Sequence, residues 1–377
     1  MECFKFVALT LLGIILLSTM PATTSVQLSP EDAKALEVIT EASNKFAINL
    51  YQFVKEPNKN IIVSPISVQI VLALAYSGAK SNTAKEIASV LNLPHNLEEV
   101  LQGHKLLIES LKNPVLKVAN RMFVEKTLTV KSDFQKNALQ YFLADAGLVD
   151  FIGNPEAARN EINSWVLKQT NDKIKDLLAQ GSIDALTRMV LVNAIHFKAD
   201  WLTKFKPELT KDEDFHVSST EKVKVKMMSM KNSFRFNSHP ELDAKILEMP
   251  YSGKEFKMVI ILPNKVDGLN EVESKLSTIN LSEVLNSLFS VTVNVKLPRF
   301  KLESTMELKD ILIKMGIKDI FDEGKADLSG ISDEKLYASK VVQKAFIEVN
   351  EEGTEAAAAT GKSLIAKLLL GGWDFAF

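Results

Sequence analysis

The block IIVSPISVQIVLALAYSGAK begins as a short β-like run and passes through Ser64-Pro65 into a helix that is almost wholly apolar. A helix apolar all round has no face to give to water and belongs in an interior. The rest of the chain must therefore surround it. With 377 residues, 46% of them hydrophobic, there is enough apolar surface to do so.

That burial has to suffice without covalent help. The single cysteine, Cys3, lies in MECFKFVALTLLGIILL, where a lysine precedes an apolar run too short to span a bilayer. The segment reads as a signal peptide over residues 1–25, cleaved after Ser25, which implies secretion to the extracellular space. The mature chain then has no cysteine to crosslink. No Pro/Gly/Ser-rich linker or shift of composition divides residues 26–377, which are read as a single domain.

A net charge of −2 leaves no nucleic-acid footprint, and neither a nucleic-acid nor a membrane partner is expected. The densest basic run, Lys222, Lys224 and Lys226, alternates with Val223 and Val225 as the solvent face of a half-buried strand does. Asn280-Leu281-Ser282 matches the glycan acceptor pattern.

Ser29-Pro30-Glu31-Asp32 opens a first helix, and Thr83-Ala84-Lys85-Glu86 has the spacing of a capped helix start. Leu101 to Leu111, Asp133 to Ala146 and Ala157 to Leu178 have helical spacing, with VLKVANRMFVEKTLTV and LVDFI as strands between them. From Arg188 onward the balance shifts to short strands: MVLVNAIHF, VKMMSM, SFRF, AKILEMP, FKMVIILP and VTVNVKLPRF. A last helix, TMELKDILIKMG, ends at Gly316 as its C-cap. Helices first and antiparallel-looking strands afterwards make an α+β fold rather than a βαβ repeat.

Enzyme chemistry finds no foothold. His95, His104, His196, His216 and His239 lack the spacing of a zinc site, and there is neither a GxSxG elbow nor a Gly-rich phosphate loop. No metal or cofactor is expected. Trp165, Trp201 and Trp373 read as packing residues.

One segment fits neither helix nor ordinary strand. KAFIEVN is followed by Glu351, Glu352, Gly353, Thr354 and Glu355, then Ala356, Ala357, Ala358, Ala359 and Thr360. Such a composition suits a surface linker. It also suits a strand that must slide between two existing strands, where bulky or charged residues would overpack the core or bury charge.

KAFIEVNEEGTEAAAAT resembles the strand and proximal hinge that carry the reactive loop in inhibitory serpins, a family of serine protease inhibitors. NIIVSPISVQIVLALAYSGAKSNTAKEI, INSWVLKQTNDKI, MVLVNAIHFKADWLTKF, VKLPRFKLES and MGIKDIFDEGKADLSGI resemble further segments of the family, so the likeness runs from about Ala42 to Thr360. It implies a serpin fold with a helical lobe, a large central sheet A, sheets B and C, and an exposed reactive loop at about 351–368. By the same resemblance, Ser64, Ser67 and Asn193 match the shutter over which sheet A opens, with Gln343 replacing the usual histidine, and Trp201 matches the breach where the loop enters. His196 and Ala199 stand where tyrosine and glycine are commoner. Gly353 would permit the hinge turn, and Thr354 would be the first side chain to enter the sheet.

The family's spacing from Glu351 puts the reactive bond at Lys367-Leu368, with Lys362 the nearest basic alternative. A basic residue there suits a trypsin-like serine protease. The implied mechanism is that of a monomeric suicide substrate, in which cleavage releases the loop to insert and distort the acylated protease. After Lys367 the chain reads LLLGGWDFAF, and the usual C-terminal strands of sheets B and C are missing from that ending. An alternative final exon, a misread gene, or a noninhibitory product acting as a carrier or structural protein would each give such a tail.

Overall fold

Ser29 caps the first helix, α1 (Pro30–Val54), by accepting from the Asp32 N–H at 3.0 Å. The structure, a computed structural model, describes residues 28–56, 59–113, 115–144, 146–354 and 373–375. In α2 (Pro65–Gly78) every residue from Ile66 to Ala75 is buried, as an all-apolar helix requires. It is surrounded by α1, α3 (Ser81–Leu91), α4 (Leu97–Ser110) and, after β1 (Leu116–Glu125), α5 (Ser132–Phe142).

Next come β2 (Ala146–Val149), α6 (Pro155–Gln169), β3 (Met189–Phe197), β4 (Ala199–Asp200), β5 (Lys211–His216) and the long β6 (Lys222–His239). β7 (Ala244–Pro250), β8 (Lys257–Pro263), α7 (Leu269–Lys275), α8 (Leu281–Asn286) and β9 (Phe289–Pro298) follow. β10 (Phe300–Glu307), α9 (Lys309–Met315), β11 (Lys340–Val349), β12 (Gly353–Thr354) and β13 (Trp373–Phe375) complete the described elements.

Helix ends depart from the sequence expectation where polar backbone chemistry intervenes. α6 stops at Gln169, because Asn171 and Asp172 adopt left-handed backbone; Ile174, Leu177 and Leu178 still reach the core, but as irregular chain. α5 stops at Phe142, with Leu143 left-handed at φ 51°. Thr83 is not the cap of α3. It lies inside the first turn and accepts from the Asp327 N–H, while Glu86 accepts from the backbone of Lys318 and Asp319 instead of closing a capping box. Thr305, Met306 and Glu307 belong to β10, so the last helix is shorter than its pattern suggested; Gly316, at φ 118°, does close it.

Two sheets result. The first has the order β2-β1-β3-β11-β12-β4, with β10 on the far side of β11. β3 is buried along its whole length, because α2 lies against one face and the apolar cluster of Ile162, Val166, Val190, Val192, Val342 and Phe346 covers the other. Trp165 packs into this second layer, edge-on to Phe123 at 5.6 Å, as expected of a packing residue.

The second sheet has the order β13-β9-β6-β7-β8, with β5 on β6. VKMMSM and SFRF are one strand, and its length makes the expected sheets B and C continuous: its start pairs with β5 and its end with β7. Lys224 and Lys226 face solvent and pair with Asp214 and Asp212 across β5, at 2.6 and 2.8 Å. Trp373 to Phe375 lie parallel to Val293 to Val295, a three-residue pairing at the edge where the usual C-terminal strands were expected to be missing.

Candidate functional site

β3 and β11 run parallel, with seven registered pairs from Lys340↔Val190 to Phe346↔His196. Each is antiparallel to its other neighbour, β1 and β10 respectively. A strand running opposite to both could enter between them and form antiparallel ladders on each edge, the slightly stronger pairing.

A row of polar side chains crosses the middle of this seam. Asn120 on β1 is opposite Asn193 on β3, which is opposite Gln343 on β11. Asn193 donates to the Asn120 side-chain oxygen and accepts from Gln343. Gln343 also donates to the Ser64 carbonyl and accepts from the Ser64 N–H, both at 3.0 Å, and Ser64 Oγ donates to Ser67 Oγ at 2.9 Å. Ser64, Ser67, Asn193 and Gln343 are therefore brought together as expected, and glutamine's paired donor and acceptor satisfy both backbone groups of Ser64. Asn120 was missed. Its signal was present as the one polar residue in the alternating series Leu116, Val118, Asn120, Met122, Val124.

At the upper end of the seam the hinge is already built into the sheet. β12 is antiparallel to β11 at Thr354↔Val349 and to β4 at Thr354↔Ala199. Thr354 is fully buried, and its hydroxyl bonds to Tyr251 Oη at 2.7 Å. Burial raises the Tyr251 pKa, which keeps this hydroxyl neutral. The segment from Glu351 to Thr354 is thus not part of an exposed loop. Gly353 has a reason other than a turn: it is not left-handed, and a Cβ there would stand 2.1 Å from the Ala199 carbonyl oxygen. Glycine is required by the closeness of two backbones.

Trp201 lines this corner, stacked on Tyr251 at 4.5 Å and edge-on to Phe205 at 6.4 Å. Its indole N–H donates to the Asn350 carbonyl at 3.0 Å and its backbone N–H to Glu352 at 2.8 Å. Trp201 therefore packs, as expected, and its hydrogen-bond partners are Asn350 and Glu352 at the head of β12. Glu351 is buried; its carboxylate accepts from Arg299 Nε at 2.6 and 2.7 Å and from the Thr210 hydroxyl. Burial pulls its pKa upward, but the Arg299 and Thr210 bonds outweigh it and hold the group below the ordinary glutamate range. Glu352 pairs with Lys204 at 2.5 Å. Tyr251, Thr210 and Arg299 had no local signal in the sequence, because each matters through a partner far along the chain; Asn350 also forms the turn itself, its side-chain oxygen accepting from the Glu352 N–H at 3.0 Å.

Asn280 is exposed and caps α8, its side-chain oxygen accepting from Ser282 and its amide donating to Glu283 at 2.8 Å. Glu355, Ala356, Ala357, Ala358, Ala359, Thr360, Lys367, Leu368 and the signal segment lie outside the described residues.

Residues 41–371 match the serpin (serine protease inhibitor) family. The chain is 39% identical over 348 residues to the leukocyte elastase inhibitor of Equus caballus, covering 89% of this chain and 92% of that relative. Its structure is similar to Serpin48 of the insect Tenebrio molitor, with TM-score 0.81, 38% identity and coverage of 90% and 92% of the two chains. It is also similar to human thyroxine-binding globulin, with TM-score 0.82 and 31% identity over 91% and 92%. The match spans the helical lobe, both sheets and the parallel seam, and this chain belongs to the serpin family.

Proposed function

We propose that this protein inhibits a serine protease as a suicide substrate, by inserting its cleaved loop between β3 and β11. One observation carries the reading: β12 already runs antiparallel to both strand partners, in the orientation an inserted strand needs. Continuing that register two residues at a time sets Ala356 opposite Ile347 and Phe197, Ala358 opposite Ala345 and Ile195, and Thr360 opposite Gln343 and Asn193. Small residues would meet the apolar core, and the hydroxyl would meet the polar row. Cleavage at Lys367-Leu368 would leave the protease serine acylated by the Lys367 carbonyl while insertion carries it along the sheet. The protein would be consumed rather than turn over.

A basic Lys367 supports a trypsin-like target, a choice of its own for this chain beside a relative named for leukocyte elastase. Mixing with trypsin should give a complex that survives boiling in detergent, with Leu368 as the new N-terminus of the released fragment. Lys367→Leu should weaken recognition. Cleavage confined to Lys362 would overturn the assigned bond, and cleavage without any complex would overturn inhibition. Secretion belongs to the same proposal and is checked by N-terminal sequencing of exported protein, which should begin near Val26.

One feature favours a noninhibitory reading. The next step of the register sets Lys362 opposite Val341 and Leu191, both fully buried and apolar. An ammonium there is costly and would stall insertion beyond Thr360. If this charge limits the reaction, Lys362→Leu should raise the ratio of stable complex to cleaved protein. An unchanged ratio would remove the objection.

A further inference from the structure

The chain just after β4, residues 201–210, is strapped to the hinge. Trp201 and Phe205 are buried, and the Phe205 N–H donates to the Glu351 carbonyl at 2.9 Å, beside the bonds that Trp201, Lys204 and Thr210 make to residues 350–352. Leu202 to Lys204 and Lys206 to Leu209 are exposed. Two of these are large and apolar, Leu202 at 45% exposure and Leu209 at 44%. A single exposed leucine is ordinary. A pair on a strap fixed along its length is different, because little conformational freedom remains to be lost when another protein docks on it.

The strap also lies between the two ends of the segment that carries the assigned bond. One end is the hinge, to which it is bonded. Toward the other end, the Asn232 amide of β6 donates to the Thr203 hydroxyl at 3.1 Å, and Asn232 is in register with Val293 of β9, itself in register with Trp373 of β13. β13 is thus two strand spacings, about 10 Å, from the strand that holds the strap. Lys367 precedes Trp373 by six residues, so it stays within about 20 Å of β13. A protease domain of about 200 residues has a radius of gyration of about 16 Å. On so short a tether, a body of that size comes to rest against the surface between the two ends, and the strap is that surface.

We infer that residues 201–210 form a second contact surface for the protease held at Lys367, with Leu202 and Leu209 as anchors received by an apolar patch outside its substrate cleft. Resting on the inhibitory reading, this gives the body of the protein a share in target recognition. Two linked contacts bind more tightly than either does alone.

A trypsin whose catalytic serine is replaced by alanine binds without cleaving and so reads recognition apart from insertion. The double variant Leu202→Ser, Leu209→Ser should weaken its binding to the full protein about tenfold in surface plasmon resonance. With active trypsin the same variant should form complex about tenfold more slowly, at an unchanged ratio of complex to cleaved protein, because the hinge bonds are intact. A merely structural role for the two leucines would shift that ratio instead and overturn the surface. Leu186→Ser is the control. Leu186 is 70% exposed but precedes β3, whose nine residues set it about 30 Å from the strap, and its loss should change nothing. If the double variant fails to fold, hydrogen exchange on the unaltered protein serves instead, with the amides of the strap slowed when the inactive trypsin binds. Unchanged binding by the double variant, an equal loss from Leu186→Ser, or unslowed exchange would overturn the surface and leave the inhibitory reading standing. Failure of the unaltered protein to bind the inactive trypsin would overturn the trypsin-like assignment, and the surface with it.

Discussion

The ladder between β3 and β11 and the ladder between β6 and β9 are both long, central and largely apolar, yet only the first is crossed by a buried polar pair. β6 and β9 are antiparallel through ten registered pairs, and their buried side chains include Met228, Met230, Phe234, Val293, Val295 and Leu297. β3 and β11 are parallel through seven, with Asn193 and Gln343 buried at the centre. Apolar packing depends on close interdigitation and offers an incoming strand no specific partner to exchange. A hydrogen-bonded polar row has defined partners and can exchange them as a unit, provided that the incoming strand offers replacements. On the proposed function, the difference would make one ladder permanent and the other a seam.

The sharpest way to break this contrast is at the head of the seam. Thr354→Arg would bury an unpaired charge beside Tyr251, at a cost of roughly 3–5 kcal/mol. The hinge should leave the sheet, and the ratio of stable complex to cleaved protein should fall more than about tenfold on a denaturing gel. An unchanged ratio would show that Thr354 does not need its place in the sheet.

A matched pair of substitutions then compares the ladders directly. Leu297→Ala removes fully buried atoms from the permanent ladder and should cost about 2–5 kcal/mol in denaturant unfolding, with the complex ratio preserved. Gln343→Leu removes the partner of the Ser64 N–H and of the Asn193 oxygen, while the Ser64 carbonyl keeps the Val68 N–H at 3.2 Å; the loss is about 1–3 kcal/mol for each group that water cannot reach, comparable in total. It should also change the ratio and hasten spontaneous conversion on mild heating. If Leu297→Ala shifts the ratio as much as Gln343→Leu does, the two ladders are not functionally distinct.

The smallest effect is a pH dependence. Glu351 has a depressed native pKa, so its contribution is fully present above the ordinary glutamate value and is lost as pH falls through the lower native one. Acidification through that window should destabilise the uncleaved protein more than a Glu351→Gln variant, as read from their thermal midpoints. Parallel curves would mean that the Arg299 and Thr210 bonds do not stabilise the folded hinge.

Most of the secondary structure was legible because it follows from local pattern. The apolar run of α2, the Ser29 cap, the Gly316 stop and the alternation of Lys222, Lys224 and Lys226 each reflect forces acting within a few residues. The misread helix ends at Gln169 and Phe142 show the limit of that reading. Their apolar periodicity continues, but left-handed residues end the helix while the remaining side chains find the core by another path.

What the sequence by itself determined is the material: an interior helix, strands enough for two sheets, and a run of small residues flanked by glycine and threonine, with the family likeness written across them. Only the tertiary structure decided which strands meet. It set β3 and β11 parallel, aligned Asn120 with Asn193 and Gln343, brought Arg299 and Thr210 to Glu351, and pressed Gly353 against Ala199. Strand direction and cross-strand register depend on how the whole chain closes over its core, and local preferences do not encode partners separated by scores of residues.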